Sequence, residues 1–427
     1  MRQHNKSRRT GHASSGIVMT AVAALGLAVG LIGCNNLLTV DNPGNVPAAS
    51  LNSASMAPTL VASALGEFEC ALPQYILTAG VLSGEYDVSN VFVNANQWGW
   101  RGVEVNTQPG GCETSRTGTG LGFFAPLQEA RYLSERGIAI ISAFSDADVS
   151  GRTTMLAQLS AYAGYAYVLL GEGMCTLTFD NGPEVTRADA WKLAEQHFKD
   201  ALTYAATANN ADITNMAHVG LARAELDLGD LADAATDAQA VPQGYVHIAQ
   251  YSTSTPSREN TIYDMTIAND FLTVDSTYRG LTVQGQPDPR VPVKNMNRTG
   301  QDGVSPQWTQ QKYVGTAAAP ITIASWAEAQ LIYAEAVGGQ AAKDAINRVR
   351  AASGVPALDG SEGSDIKAIV LEERRRQLFS EGQRFGDMLR SNIPFPSGFN
   401  HKGQPYGPTT CVPLPLLETQ NNPHLQH

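Results

Sequence analysis

The sequence predicts an all-α-dominated protein, a tetratricopeptide-like helical repeat scaffold with long loops and a few short strands. Three observations predict it. Apolar residues recur at helical spacing in paired segments, at 215–239 and again at 323–352. Small residues stand where the members of a pair would cross, which lets two helices approach closely, as in tetratricopeptide pairs. Two irregular blocks, about 83–122 and 241–320, interrupt the helical stretches and are too long to be turns. A generic helix hairpin would share the first two signals.

Residues 1–33 read as a lipoprotein signal peptide. Arg2, Lys6, Arg8 and Arg9 give a positive start, and Ile17 to Leu31 form an apolar run too short and too glycine-interrupted for a membrane span. Leu31-Ile32-Gly33-Cys34 is a lipobox, which makes Cys34 the expected acylated first residue of the mature chain. Each buried methylene of such acyl chains contributes roughly 0.8 kcal/mol, so several chains hold a protein at a membrane without a spanning helix. Asn35, rather than an acidic residue, follows, which resembles lipoproteins sorted to the outer membrane. Residues 34–55, rich in Asn, Pro, Ala and Ser, read as a lipid-anchored tether, and 56–427 as a single ligand-binding domain. With 427 residues, 43% of them hydrophobic, the chain can build a broad core, and a net charge of −11 argues against nucleic acid as a partner.

Along that domain, 57–82 reads as helix. The block 83–122 follows, with Asn94, Asn96, Trp98, Trp100 and Asn106 among many glycines. Helices are predicted at about 124–144 and 153–170, the second with Leu156, Leu159, Ala163 and Leu170 on one face and Tyr162, Tyr165 and Tyr167 packing inward. Thr186 with Asp189 forms an approximate capping box ahead of the stripe Trp191, Ala194, Phe198, Ala201, Leu202 and Ala205. The helix pair at 215–239 breaks at Gly229-Asp230. In 241–320, fragments such as YVHIAQY and TIYDMTI alternate with turn sequences and predict short strands. Ile323, Ala327, Leu331 and Ala334 start a helix that Gly338 and Gly339 separate from Ala342, Ala345, Ile346 and Val349. Gly354 and Pro356 stop that helix, and Ser364 and Asp365 cap a third, from Ile366 to Arg390. Cys70, Cys112, Cys175 and Cys411 permit two disulfides in any of three pairings; they lack the close C-x-x-C spacing of a zinc site.

The run Glu373-Arg374, then Gln377-Leu378, Glu381-Gly382, Arg384 and Asp387 to Arg390 resembles the C-terminal signature of the SusD/RagB family, with Gln377 where a carboxylate is usual. AEAQLIYAEA, DAINRVRAASGVP and CVPLPLLETQNNPHL resemble the preceding helices and the terminal segment of that family. The resemblance implies a SusD-like fold and a nutrient-binding lipoprotein of the outer membrane, facing the cell exterior. It also implies an oligosaccharide or a peptide as ligand, and a SusC-like TonB-dependent outer-membrane receptor as partner. A tetratricopeptide-like docking or structural lipoprotein with no small ligand is the alternative.

No G-x-S-x-G elbow, H-E-x-x-H helix or G-K-[ST] loop is present, so a binding protein is expected rather than an enzyme, with no cofactor or metal ligand set assigned. The binding residues expected are Trp98, Trp100, Asn96 and Arg101 in NANQWGWRG, and Trp308 with Tyr313 in SPQWTQQKY. Sugar C–H faces stack on indoles, while hydroxyls need amides and charged groups. At least one of the three indoles is expected to be an exposed stacking surface. Glu373, Arg374, Glu381 and Arg384 are expected to form an ion-paired seam locking the last helix, with Gly382 allowing close approach.

Overall fold

The helical periodicity is realised as a stack of helix hairpins. A computed structural model describes residues 51–107, 109–112 and 121–425. The expected signal peptide, Cys34 and nearly all of the expected tether lie outside the described residues. The helices are α1 (Ala57–Ser83), α2 (Val93–Gly99), α3 (Phe124–Ser142), α4 (Arg152–Gly173), α5 (Arg187–Ala208), α6 (Ala211–Leu228), α7 (Leu231–Ala240), a single turn α8 (Thr261–Tyr263), α9 (Trp326–Val337), α10 (Gly339–Ala352), α11 (Ile366–Gln377), α12 (Gln383–Arg390) and α13 (Leu416–Asn421). Neighbours in sequence from α3 to α7 pack on one another, α1 lies along α3 and α4, and α9 packs on α7 and α10.

Side-chain size sets the closeness of these crossings. Phe198 of α5 is wholly buried, and its ring occupies the space that a Cβ would need at Gly164 of α4 (2.7 Å) and at Gly220 of α6 (2.2 Å). Any larger residue at either glycine would force the helices apart. The Thr186–Asp189 capping box starts α5 as expected, and Tyr162, Tyr165 and Tyr167 are buried.

The strands form four antiparallel pairs: β1 (Tyr86–Val88) with β3 (Leu272–Val274), β2 (Val246–Ala249) with β8 (Ile321–Ser325), β4 (Thr282–Val283) with β5 (Gln286–Pro287), and β6 (Val293–Thr299) with β7 (Pro306–Gln310). One expectation is corrected by β8: Ile323 belongs to a strand, and the helix begins only at Trp326, capped by the Ser325 hydroxyl on the Glu328 amide. Ile323 and Ala324 fit either period, and pairing with the exposed edge of β2 decides the matter.

The third predicted helix is likewise two helices. Leu378–Gly382 turns the chain between α11 and α12, with Ser380 at φ 60° and Gly382 at φ 77°. Distant side chains hold this turn. The Tyr313 hydroxyl donates to the Ser380 carbonyl (3.0 Å), the Ser380 amide donates to Glu85 (3.1 Å), and Lys312 Nζ donates to the Phe379 carbonyl (3.0 Å). A Cβ on Gly382 would approach Tyr75 of α1 to 3.0 Å, so that position serves both the left-handed conformation and close contact with α1.

The charged residues of α11 and α12 divide into separate groups rather than one seam. Glu373 bridges Arg290 (2.5 Å) and Arg350 (2.6 Å), all three side chains being 3% exposed or less. Arg374 holds Asp387 at 2.8 Å, and Arg390 joins Asp387 (2.7 Å) to Glu335 (3.0 Å) and Asp227 (2.8 Å). Burial alone would raise the Asp387 carboxyl, but Arg374 and Arg390 outweigh it and hold the group well below the usual carboxylate range. Glu381 leaves the seam and pairs with Lys312 of the second loop block. Arg384 makes no ion pair among the described residues and lines a surface groove. Gln377 accepts from the Ser353 hydroxyl at 2.9 Å, so a neutral side chain satisfies that position.

The four cysteines pair as Cys70–Cys112 and Cys175–Cys411.

Candidate functional site

Asn-rich sequence after β1 folds into the short helix α2, not into a strand or an open loop, and this separates the two adjacent indoles. Residues two apart on a helix point about 200° apart. Trp98 therefore turns inward, 2% exposed, and lines a small internal void with Val103, Phe123 and Phe124. It pins α2 to the core and offers no stacking surface. Trp100 stays partly exposed, its indole lying over Gly102, where a Cβ would come within 2.3 Å of Nε1.

Asn96 and Arg101 are committed to internal contacts. The Asn96 amide donates to the Asn90 and Phe92 carbonyls (2.9 and 2.8 Å) and accepts from Lys402 Nζ (3.0 Å). Arg101 is 6% exposed; its guanidinium lies between the rings of Phe395 and Tyr406 and donates to the Thr409 and Pro396 carbonyls (3.1 and 2.5 Å). Both order a loop rather than face solvent. Tyr313 is also buried, on the Ser380 carbonyl. Trp308, on β7, is partly exposed, with the Arg279 guanidinium 5.4 Å from its ring centroid.

The structure brings the two irregular blocks together through backbone contacts. Ser89 and Asp302 are joined by an amide–carbonyl bond (2.9 Å), and the Val91 amide donates to the Gln301 side chain (3.0 Å). A third segment, 394–409, closes over the junction, and sequence reasoning passed it by. The Trp100 carbonyl accepts from Gly407 (2.6 Å), and Lys402 pairs with Asp302 (2.9 Å). His401 reaches Asp87 of β1 at 3.2 Å. The signal was present in GFNHKGQPYG, which mixes glycines, side-chain amides and aromatic rings as NANQWGWRG does. Trp100, Trp308, Arg279, His401 and Tyr406 thus belong to one connected assembly, with Asp87 and Asp275 beneath. Burial, then the neighbouring Asp87, pushes the Asp275 carboxyl up, and burial, then Asp87 and Asp275, pushes the Tyr406 phenol to about 12.

Ser305, His401 and Asp87 form a hydrogen-bonded chain in the order of a hydrolytic triad, Ser305 Oγ lying 2.9 Å from His401 Nε2. The chemistry does not follow. Ser305 is 1% exposed and its hydroxyl donates to Asp302 at 2.6 Å, so the oxygen can neither reach a substrate nor hand its proton to the imidazole. Among the described residues no group of three or more His, Cys, Asp or Glu side chains is arranged to hold a metal ion.

Residues 222–407 match the SusD family, a span that contains the charged signature at 373–390. No curated protein matches the chain. Solved structures share its fold. Surface glycan-binding protein A from Bacteroides uniformis aligns with a TM-score of 0.67 at 13% identity, over 87% of this chain and 98% of its own. Surface glycan-binding protein A from Bacteroides thetaiotaomicron, solved in complex with laminarihexaose, gives 0.65 at 13% identity over 87% and 98%. A SusD superfamily protein from Parabacteroides distasonis gives 0.65 at 14% identity over 87% and 98%. At these identities the likeness is one of fold.

Proposed function

We propose, from a chain whose residues 222–407 belong to the SusD family, that it is a cell-surface lipoprotein that binds an oligosaccharide and passes it to a SusC-like TonB-dependent outer-membrane receptor. The observation that carries the binding half is the assembly of Trp100, Trp308, Tyr406, Arg279 and His401. It joins partly exposed aromatic faces to hydrogen-bonding groups that the three loop segments fix in place. Sugar rings need that combination of flat apolar surface and directed polar groups. The laminarihexaose complex of a protein of this fold supports it. Trp100 and Trp308 remain the stacking residues of the proposal, while Asn96 and Arg101 act by ordering the loops beneath.

Calorimetric titration against neutral oligosaccharides, laminarihexaose among them, tests the reading. Binding should be found, and Trp308→Ala should weaken it about tenfold or more, the loss expected of an aromatic anchor. A folded variant with unchanged affinity removes Trp308 from the site. Absence of binding across the panel favours protein docking instead.

The membrane half rests on the lipobox before Cys34. Mass spectrometry of the native N-terminus should find acylated Cys34; an uncleaved leader or an unmodified Cys34 overturns the anchor.

A further inference from the structure

Beside the Tyr406 assembly, a groove of about 510 Å³ opens between the end of α1, the turn at 275–278, α11, α12 and the chain at 394–397. Its floor and walls carry Asp275, Tyr278, Glu372, Arg375, Arg384 and Phe395. The polar groups there are unequally satisfied. Arg375 donates to Glu372 (2.9 Å) and to the Thr277 carbonyl (2.6 Å), with its guanidinium 4.3 Å from the Tyr278 ring centroid. Glu372 also accepts from Arg376 at 2.7 Å, so both its role and that of Arg375 are filled within the protein. Arg384 has no such partner. It is partly buried and forms no ion pair among the described residues; Glu85, buried behind the wall, feels its charge without a hydrogen bond to it. Tyr278 is 1% exposed and lies under the Arg375 guanidinium, its hydroxyl out of a ligand's reach.

The donor left for a ligand is therefore the Arg384 guanidinium fork. A neutral sugar offers hydroxyls that donate and accept in equal measure, whereas a carboxylate offers acceptors alone in a geometry that matches guanidinium. Asp275 is turned toward Thr277, from whose amide and hydroxyl it accepts at 2.7 Å. Met388 and Phe395 supply an apolar wall against which a pyranose ring can lie. The groove also continues the proposed glycan face, because the Phe395 ring contacts the same Arg101 guanidinium that stacks on Tyr406.

We infer that this groove is a subsite for a uronate residue, with Arg384 binding the sugar carboxylate. The inference rests on the glycan-binding reading and specifies its ligand as an acidic oligosaccharide. It is tested by titrating galacturonate, glucuronate and mannuronate oligomers, each beside its carboxyl-reduced form, into wild type, Arg384→Gln and Trp308→Ala. At least one acidic oligomer should bind about 10- to 100-fold more tightly than its reduced form. Arg384→Gln should erase that preference while keeping the reduced-form affinity, and Trp308→Ala should weaken both forms alike. Thermal unfolding of Arg384→Gln should match wild type, since no ion pair is broken. Equal affinities for every acid and its reduced form, or a preference that survives Arg384→Gln, overturns the inference and leaves neutral-glycan binding standing. Failure of every sugar to bind overturns both.

Discussion

Glu373→Gln is expected to lower the unfolding free energy by about 3 kcal/mol, because it takes a shared carboxylate from two buried arginines at once. Arg290 and Arg350 meet on this one carboxylate at 2.5 and 2.6 Å, each side chain 2% exposed. Arg290 keeps Asp288 (2.8 Å) and Arg350 keeps Glu362 (2.7 Å), so each guanidinium loses one of its two carboxylates. The amide retains the shape of Glu373, so cavity formation does not contribute; it removes the charge and turns one of the two acceptor oxygens into an NH2 donor facing a guanidinium. Glu381→Gln is the internal comparison: its partner Lys312 is 23% exposed, and a pair of that kind is worth about 1 kcal/mol or less. Urea unfolding at neutral pH separates them through the midpoint at constant slope. A loss for Glu373→Gln no larger than that for Glu381→Gln would show that water reaches the bridge.

Much of the helical scaffold was legible because its signals are local. The Thr186–Asp189 box, the inward tyrosines of α4 and the pair α6–α7 follow from spacing alone. What could not be read depended on partners far along the chain. The break between α11 and α12 is held by Tyr313, Glu85 and Lys312, up to 295 residues away. Ser380 in a left-handed conformation is invisible to a periodicity that continues through it. The strand at Ile321–Ser325 likewise needs β2. In the candidate site, the residue types and the two loop blocks were readable. Which of two neighbouring indoles faces out was not, since it turns on α2 being a helix. The segment 394–409 was missed because its glycines and amides look like connecting loop until Asp87, Asn96 and Asp302 are placed against His401 and Lys402.

Serine at both Cys175 and Cys411 is expected to cost about 5 kcal/mol, at the upper end of what a disulfide contributes. The two residues are 236 apart in sequence, so their bond removes the closure entropy of a very long unfolded loop. The corresponding loop for Cys70–Cys112 is 42 residues, for which the same chain-entropy relation gives about 4 kcal/mol. The longer bridge also has a local task. Cys175 donates its amide to the Val412 carbonyl (2.9 Å), and Val412 donates to the Gly173 carbonyl (2.9 Å), so the bond staples the C-terminal segment to the end of α4. Three residues earlier, Thr409 accepts from Arg101 and from the Val103 amide (both 3.1 Å), next to Trp100. Loosening Cys411 should therefore reach the proposed glycan face as well as the core. Denaturant unfolding of the Cys175→Ser, Cys411→Ser double variant should show the stability loss. Glycan titration under native conditions should show a weaker affinity than in the Cys70→Ser, Cys112→Ser variant. Equal unfolding midpoints for wild type and the Cys175–Cys411 variant would mean that the segment is held by its backbone bonds alone.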